Sequence, residues 1–127
     1  MKNILISEQF HFEKLYQYSN DLICVASTDG FFKRVNPAFE KVLGWDNEYL
    51  LQTSFNELLH RDDLTAAATQ LEEFAKGNPA ENLIIRTQCK DGTYKSIQWA
   101  TTPEPTTGLL FAIGRDITRE KEREALL

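Results

Sequence analysis

Few side chains in this sequence have types and spacing that could do chemistry. The two histidines, His11 and His60, and the two cysteines, Cys24 and Cys89, stand far apart. None has a neighbour at metal-ligand spacing, so no zinc site is expected. Both cysteines fall inside strand-like apolar runs, which predicts two buried thiols rather than a disulfide. Asp62 and Asp63 are paired carboxylates, but adjacent residues on a helix do not face one substrate. Their place is a helix start, where negative charge is favoured. No Ser/His/Asp or Cys/His arrangement can be argued from spacing. Arg34, Arg86 and Arg115 could hold an anion through charge-assisted bonds. Alternation puts Arg86 on a strand face with Asn82, Ile84 and Gln88, which predicts solvent exposure; Arg34 and Arg115 read as external or structural.

What remains is a mechanical feature at the end of the chain. An apolar run over 109–115 stops at Asp116-Ile117-Thr118, and the charged segment Arg119-Glu120-Lys121-Glu122-Arg123-Glu124 follows at once. Asp116 is expected to accept from a nearby backbone N–H or a basic side chain. Thr118 suits the N-cap, where its hydroxyl can accept from an orphan N–H. The segment after it has little apolar surface, and so short a helix is marginal alone in water. It reads as the start of a longer helix leaving the domain, an arrangement suited to passing a signal onward through Asp116 and Thr118.

The elements that must position these residues fit one domain. A chain of 127 residues should bury roughly two thirds of its unfolded surface. Its hydrophobic content of 42% and charged content of 26% are ordinary for a globular protein. The net charge of -5 argues against nucleic acid as a partner. No apolar run reaches the length of a membrane span, and the opening Ile4-Leu5-Ile6 is too short for a signal peptide. A cytoplasmic location without membrane insertion follows as the expectation.

Ser7 can cap a helix carrying Phe12, Leu15 and Tyr16 on one stripe. Strands are expected over 22–28 and 31–35, joined by the turn Asp29-Gly30. Asn36 can cap a short helix with Pro37 at its first position, and Gly44 ends it. Another short helical piece is expected over 47–51, and Ser54 with Glu57 matches a capping box. The best helix runs over 62–76, with Leu64, Ala67, Ala68, Leu71, Phe74 and Ala75 on one stripe. Strands over 82–90 and 93–102 flank Asp91-Gly92, and the strand over 109–115 follows. Phe39, Leu58, Leu71, Phe74, Ile85 and Phe111 are expected to be largely buried. Segregated helices and tight turns between strands are α+β logic.

This order, with these residues, resembles the PAS domain of bacterial sensor proteins over about 12–118. The segments that carry the resemblance are Asn20-Asp21-Leu22-Ile23-Cys24-Val25, Thr28-Asp29-Gly30, Val35-Asn36-Pro37-Ala38-Phe39, Leu43-Gly44-Trp45, Leu59-His60-Arg61-Asp62-Asp63, Lys90-Asp91-Gly92-Thr93-Tyr94, Trp99-Ala100-Thr101-Thr102-Pro103 and Gly114-Arg115-Asp116-Ile117-Thr118. Arg61 stands where the family usually has Pro. The resemblance implies a five-stranded antiparallel sheet in the order 2-1-5-4-3, with a helical block over one face and a cavity between them. It divides the chain into an N-terminal flanking helix over 1–20, a PAS core over 21–117 and an outgoing helix over 118–127. It also implies a sensory and dimerisation module in a larger signalling protein, with a covalently linked output domain, mostly of histidine-kinase type, a transferase of a two-component system, and less often a diguanylate cyclase or another output module. The segment itself is then not an enzyme. The reading from another class is a stand-alone small-molecule-binding protein or small α+β enzyme using the same cavity.

Within the resemblance, the cavity is expected to be lined by Phe39, Leu58, Leu71, Phe74, Ile85, Trp99 and Phe111. Haem would need an axial His, and the helix over 62–76 has none; His60 is expected to hold the helix start. A covalent flavin adduct would need a reactive Cys in an Asn-Cys-Arg-Phe-like context, which neither Cys24 nor Cys89 has. Non-covalent flavin, with Trp99 stacking on it, or a small metabolite stays open, beside the plainer reading of Trp99 as packing with Ile97. A homodimer is expected through Phe12, Leu15 and Tyr16 and the outer sheet face.

Overall fold

The computed structural model describes the backbone of residues 2–127 and the side chains from residue 8 onward. An N-terminal helix, α1 (Lys2–Tyr18), leads into the hairpin β1 (Leu22–Ser27) and β2 (Phe32–Val35). The helical block follows: α2 (Ala38–Leu43), α3 (Asn47–Gln52), 3-10 turns at Phe55–Leu58 and Arg61–Asp63, and α4 (Leu64–Ala75). Then come β3 (Ala80–Gln88), β4 (Tyr94–Glu104), β5 (Leu109–Asp116) and the C-terminal α5 (Thr118–Leu126). The five strands form one antiparallel sheet in the order β2-β1-β5-β4-β3.

Two Asp-Gly turns set the hairpins. Gly30 and Gly92 take φ of 94° and 91°, which side-chain-bearing residues rarely adopt. Each preceding Asp braces its turn: Asp29 accepts from the Phe31 N–H at 3.0 Å, and Asp91 from the Thr93 N–H at 2.9 Å. Local turns leave the first and last strands far apart in sequence. They meet because β1 pairs with β5 from Leu22↔Gly114 to Ser27↔Leu109. This closure puts the C-terminal junction beside the middle of the sheet.

One sheet face packs on the helical block. Leu22, Cys24, Ala26, Ile85, Ile97, Leu110 and Ala112 meet Phe39, Leu43, Leu50, Leu58 and Phe74, and all are buried. Four of the six residues expected in the core are there. Leu71 is only half-buried. Phe111 is a correction: it is 43% exposed on the opposite face, because the β5 pleat turns Leu110 and Ala112 inward.

The caps differ from expectation in instructive ways. α1 already begins at Lys2, so Ser7 lies within it. Asn36 is not a cap either. It is buried, its Oδ1 accepts from the Ile23 N–H at 3.0 Å, and its Nδ2 donates to the carbonyls of Tyr16 and Asp21 at 3.1 and 2.9 Å. One amide thus ties α1, β1 and the start of α2 together. Ser54 Oγ accepts from the Asn56 N–H at 3.3 Å, without the reciprocal Glu57 bond among the described residues. His60 holds the helix start as expected, its Nδ1 accepting from the Asp62 N–H at 3.1 Å.

Candidate functional site

A cavity of about 110 Å³ lies between the helical block and the inner sheet face. Phe39, Leu58, Leu71, Phe74, Ile85 and Trp99 all line it. Phe111 does not; Leu110 and Ala112 hold the β5 wall instead. Sequence reasoning also missed Phe32 and Phe55, whose rings pack 5.5 Å apart, centroid to centroid. Their signal was present, since both are aromatic residues beside turns, but nothing local showed that they would meet. The polar lining is Gln70, Thr87 and Thr101, and no charged side chain takes part among the described residues. Cys24 also lines the cavity, and burial pushes its thiol up to about 12, so it is a neutral wall group and no nucleophile.

Volume restricts what can enter. An apolar engineered cavity of roughly 150 Å³ holds benzene, whereas sites for drug-sized ligands span roughly 300–1,000 Å³. A flavin therefore does not fit this space as it stands. Among the described residues, no group of three or more His, Cys, Asp or Glu side chains is placed to hold a metal ion.

Trp99 packs against Phe39 with ring centroids 6.3 Å apart. Its cross-strand partners are Leu83 of β3, which also lines the cavity, and Gly114 of β5, whose bare backbone the indole lies over. The other tryptophan, Trp45, is committed elsewhere, stacked on Tyr49 and donating from Nε1 to the Gln88 carbonyl at 2.8 Å.

The C-terminal junction is bonded to two strands. Asp116 Oδ1 accepts from the Thr118 N–H at 3.0 Å and the Thr118 hydroxyl at 2.6 Å, and Oδ2 lies 3.5 Å from Lys95 Nζ. Both kinds of partner expected for Asp116 are present. Thr118 does not cap α5, which corrects the sequence reading. Its Oγ1 accepts from the Ser96 N–H of β4 at 2.9 Å, and the Ile117 N–H donates to the Ser96 carbonyl at 2.9 Å. The cap-like bond to the first helical N–H comes from Asp116 instead, two residues upstream. Burial pushes the Asp116 carboxyl up, but the Thr118 bonds and Lys95 outweigh it and leave the group below the usual carboxylate range. α5 thus leaves the sheet at a place clamped to both β4 and β5.

Arg86 is partly exposed, as expected for its face, yet it is also a clasp. Asp63 accepts from the Arg86 backbone N–H at 2.8 Å, from Nε at 3.1 Å and from a terminal nitrogen at 2.7 Å. The Arg86 side-chain bonds hold the Asp63 carboxyl below its ordinary range. On α1, Phe12 and Leu15 are 71% and 67% exposed. Tyr16 differs from them. It turns toward the domain under the Arg34 guanidinium, 4.3 Å from its ring centroid, while Arg34 pairs with Glu13 at 2.9 Å. A shallow cleft lined by Tyr16, Val25, Ala100, Phe111 and Ile113 runs over the outer sheet face.

A family model described as the PAS fold matches residues 17–122. The white collar 1 protein of Neurospora crassa is 30% identical over 80 residues, which is 63% of this chain and 7% of that protein. Among solved structures, the PAS domain of an HTR-like protein from Haloarcula marismortui is 26% identical at a TM-score of 0.75, covering 91% of this chain and 97% of that one. A domain of the sensory box sensor histidine kinase/response regulator from Geobacter sulfurreducens is 21% identical at a TM-score of 0.75, covering 88% and 96%. At the last identity the likeness concerns the fold alone.

Proposed function

The chain belongs to the PAS fold family, and from that premise we propose that it is the signal-input module of a larger cytoplasmic protein, passing its state through the Asp116–Thr118 junction and α5 to a covalently linked histidine kinase. The observation that carries the reading is the junction. Asp116 and Thr118 bond each other and reach Lys95 and Ser96 of β4, so the first turn of α5 cannot reorient without disturbing the sheet. Beyond that turn α5 is exposed and charged, which suits continuation into another element. A domain of a sensor histidine kinase/response regulator shares the fold, and the output is chosen by that fold-level analogy. The module acts as a homodimer through α1 and the outer sheet face, a reading supported by exposed Phe12, Leu15, Phe111 and Ile113.

Asp116→Ala and Thr118→Ala in the longer parent protein test the reading. Loss of such a hydrogen bond typically costs ~1 kcal/mol, and a difference of that size moves a two-state ratio about fivefold. Autophosphorylation should change by about that factor in both variants while circular dichroism stays native. Unchanged output in both would reduce the junction to a tether.

A further inference from the structure

Trp99 and Gly114 are paired across β4 and β5. A Cβ built on Gly114 would stand 2.7 Å from Cζ3 and 2.8 Å from Cε3 of the indole, and 2.8 Å from Ile97 Cγ2. Gly114 has no positive φ to explain it, so the glycine is needed for room and not for conformation. The indole therefore has the cavity on one side and bare β5 backbone on the other. Asp116 comes two residues after Gly114, and its register partner is Ile97, two residues before Trp99. The cavity wall and the output junction thus share one short stretch of two paired strands.

We infer that Trp99 reports occupancy of the cavity to the Asp116 junction across Gly114, and that the occupant is a small neutral apolar molecule of about benzene's size. The inference rests on the reading of the domain as an input module. The ligand class follows from the cavity: among the described residues no charged side chain lines it, so a buried ionic group would go uncompensated. Its volume is nearer that of a cavity holding a single ring than that of a drug-sized site. The coupling follows from packing. An occupant presses on a ring whose far side has no slack, and a close-packed interior transmits such displacement. The β5 backbone moves at Gly114, and the Asp116 bonds to Thr118 and Lys95 are carried with it. An occupant changes the junction only if it binds its two arrangements unequally, and the tight Trp99–Gly114 approach is the contact that makes them unequal.

The test is an amide and indole NMR titration of the whole chain with benzene, with xenon as a second probe and benzoate and flavin mononucleotide as class controls. Benzene and xenon should shift the Trp99 indole and the amides of Gly114, Asp116 and Thr118 along one binding curve, and the two controls should shift none of them. In Trp99→Leu, benzene should still bind while the Asp116 and Thr118 shifts fall at least threefold. Gly114→Ala should drive the indole into the cavity, weaken benzene binding at least tenfold and displace the Thr118 amide without any probe. If Gly114→Ala does not fold, Trp99→Leu decides. Junction shifts that persist in full in Trp99→Leu overturn the coupling. Absence of benzene and xenon binding, or tighter binding of either control, overturns the ligand class. The output role itself is read from Asp116→Ala and Thr118→Ala without a probe, so the two ideas can fail separately.

Discussion

The two faces of β5 make the sharpest contrast in the molecule. Leu110 and Ala112 point to the helical block and are buried, while their neighbours Phe111 and Ile113 are 43% and 50% exposed. The residue types do not explain this, because the larger hydrophobic groups are the exposed ones. What differs is cover: α2, α3 and α4 lie over one face, and the other carries an open apolar cleft with Val25 and Ala100. The inner face is thus committed to stability and the cavity. The outer face keeps Phe111 and Ile113 uncovered, and it is the face we propose for the homodimer.

The largest test of that contrast is a pair of truncations. Phe39→Ala, on the inner side, should cost about 3–5 kcal/mol in urea melts. Phe111→Ala should cost less than about 1 kcal/mol at concentrations where the chain is monomeric. Comparable losses would abolish the distinction between the faces. Next in size is Asn36, at the seam where α1 meets β1. Asn36→Ala strands the Ile23 N–H and two carbonyls and should cost about 1–3 kcal/mol. Hydrogen exchange at the Ile23 amide should speed up in step with the loss, and an unchanged rate would show that the seam is held elsewhere.

A charge on the outer face sharpens the comparison from the other side. Phe111→Glu should weaken self-association by about tenfold, worth ~1.4 kcal/mol, in sedimentation equilibrium, with the fold retained. An unaltered association constant would remove the outer face from the proposed dimer. The mildest effect concerns the clasp between β3 and the helical block. The Asp63 carboxyl is held low by Arg86, so its contribution is complete above the unfolded value of roughly 3.9 and is lost as pH falls through the folded one. Asp63→Asn should flatten the acid side of the stability-versus-pH curve below about pH 4. An acid limb identical to the parent's would assign that dependence to other carboxylates.

Much of the architecture was legible because its signals are local. Asp29-Gly30 and Asp91-Gly92 specify tight turns through backbone freedom and a carboxylate that bonds two residues on, so both hairpins follow from sequence. The three-four spacing of Ala67, Leu71 and Phe74 likewise located α4, while the cavity beside it was implied by the family resemblance. The sequence alone also marked Asp116 as an acceptor at the end of the last strand.

Other features depended on partners distant in sequence. The run 109–113 is apolar throughout, so it has no alternation from which to read which residues face inward. Pairing with β1 and β4 chose the parity, sent Phe111 outward and brought Leu110 to the cavity. Thr118 looked like a cap because a hydroxyl before a helix usually finds a local N–H; here the Ser96 N–H, 22 positions away in sequence, claims it. Asn36 had the same local promise and was likewise drawn into the seam with α1 and β1. The contact of Trp99 with Gly114 exists only once β4 and β5 are in register, because a glycine's missing side chain acquires meaning from the ring that occupies its place.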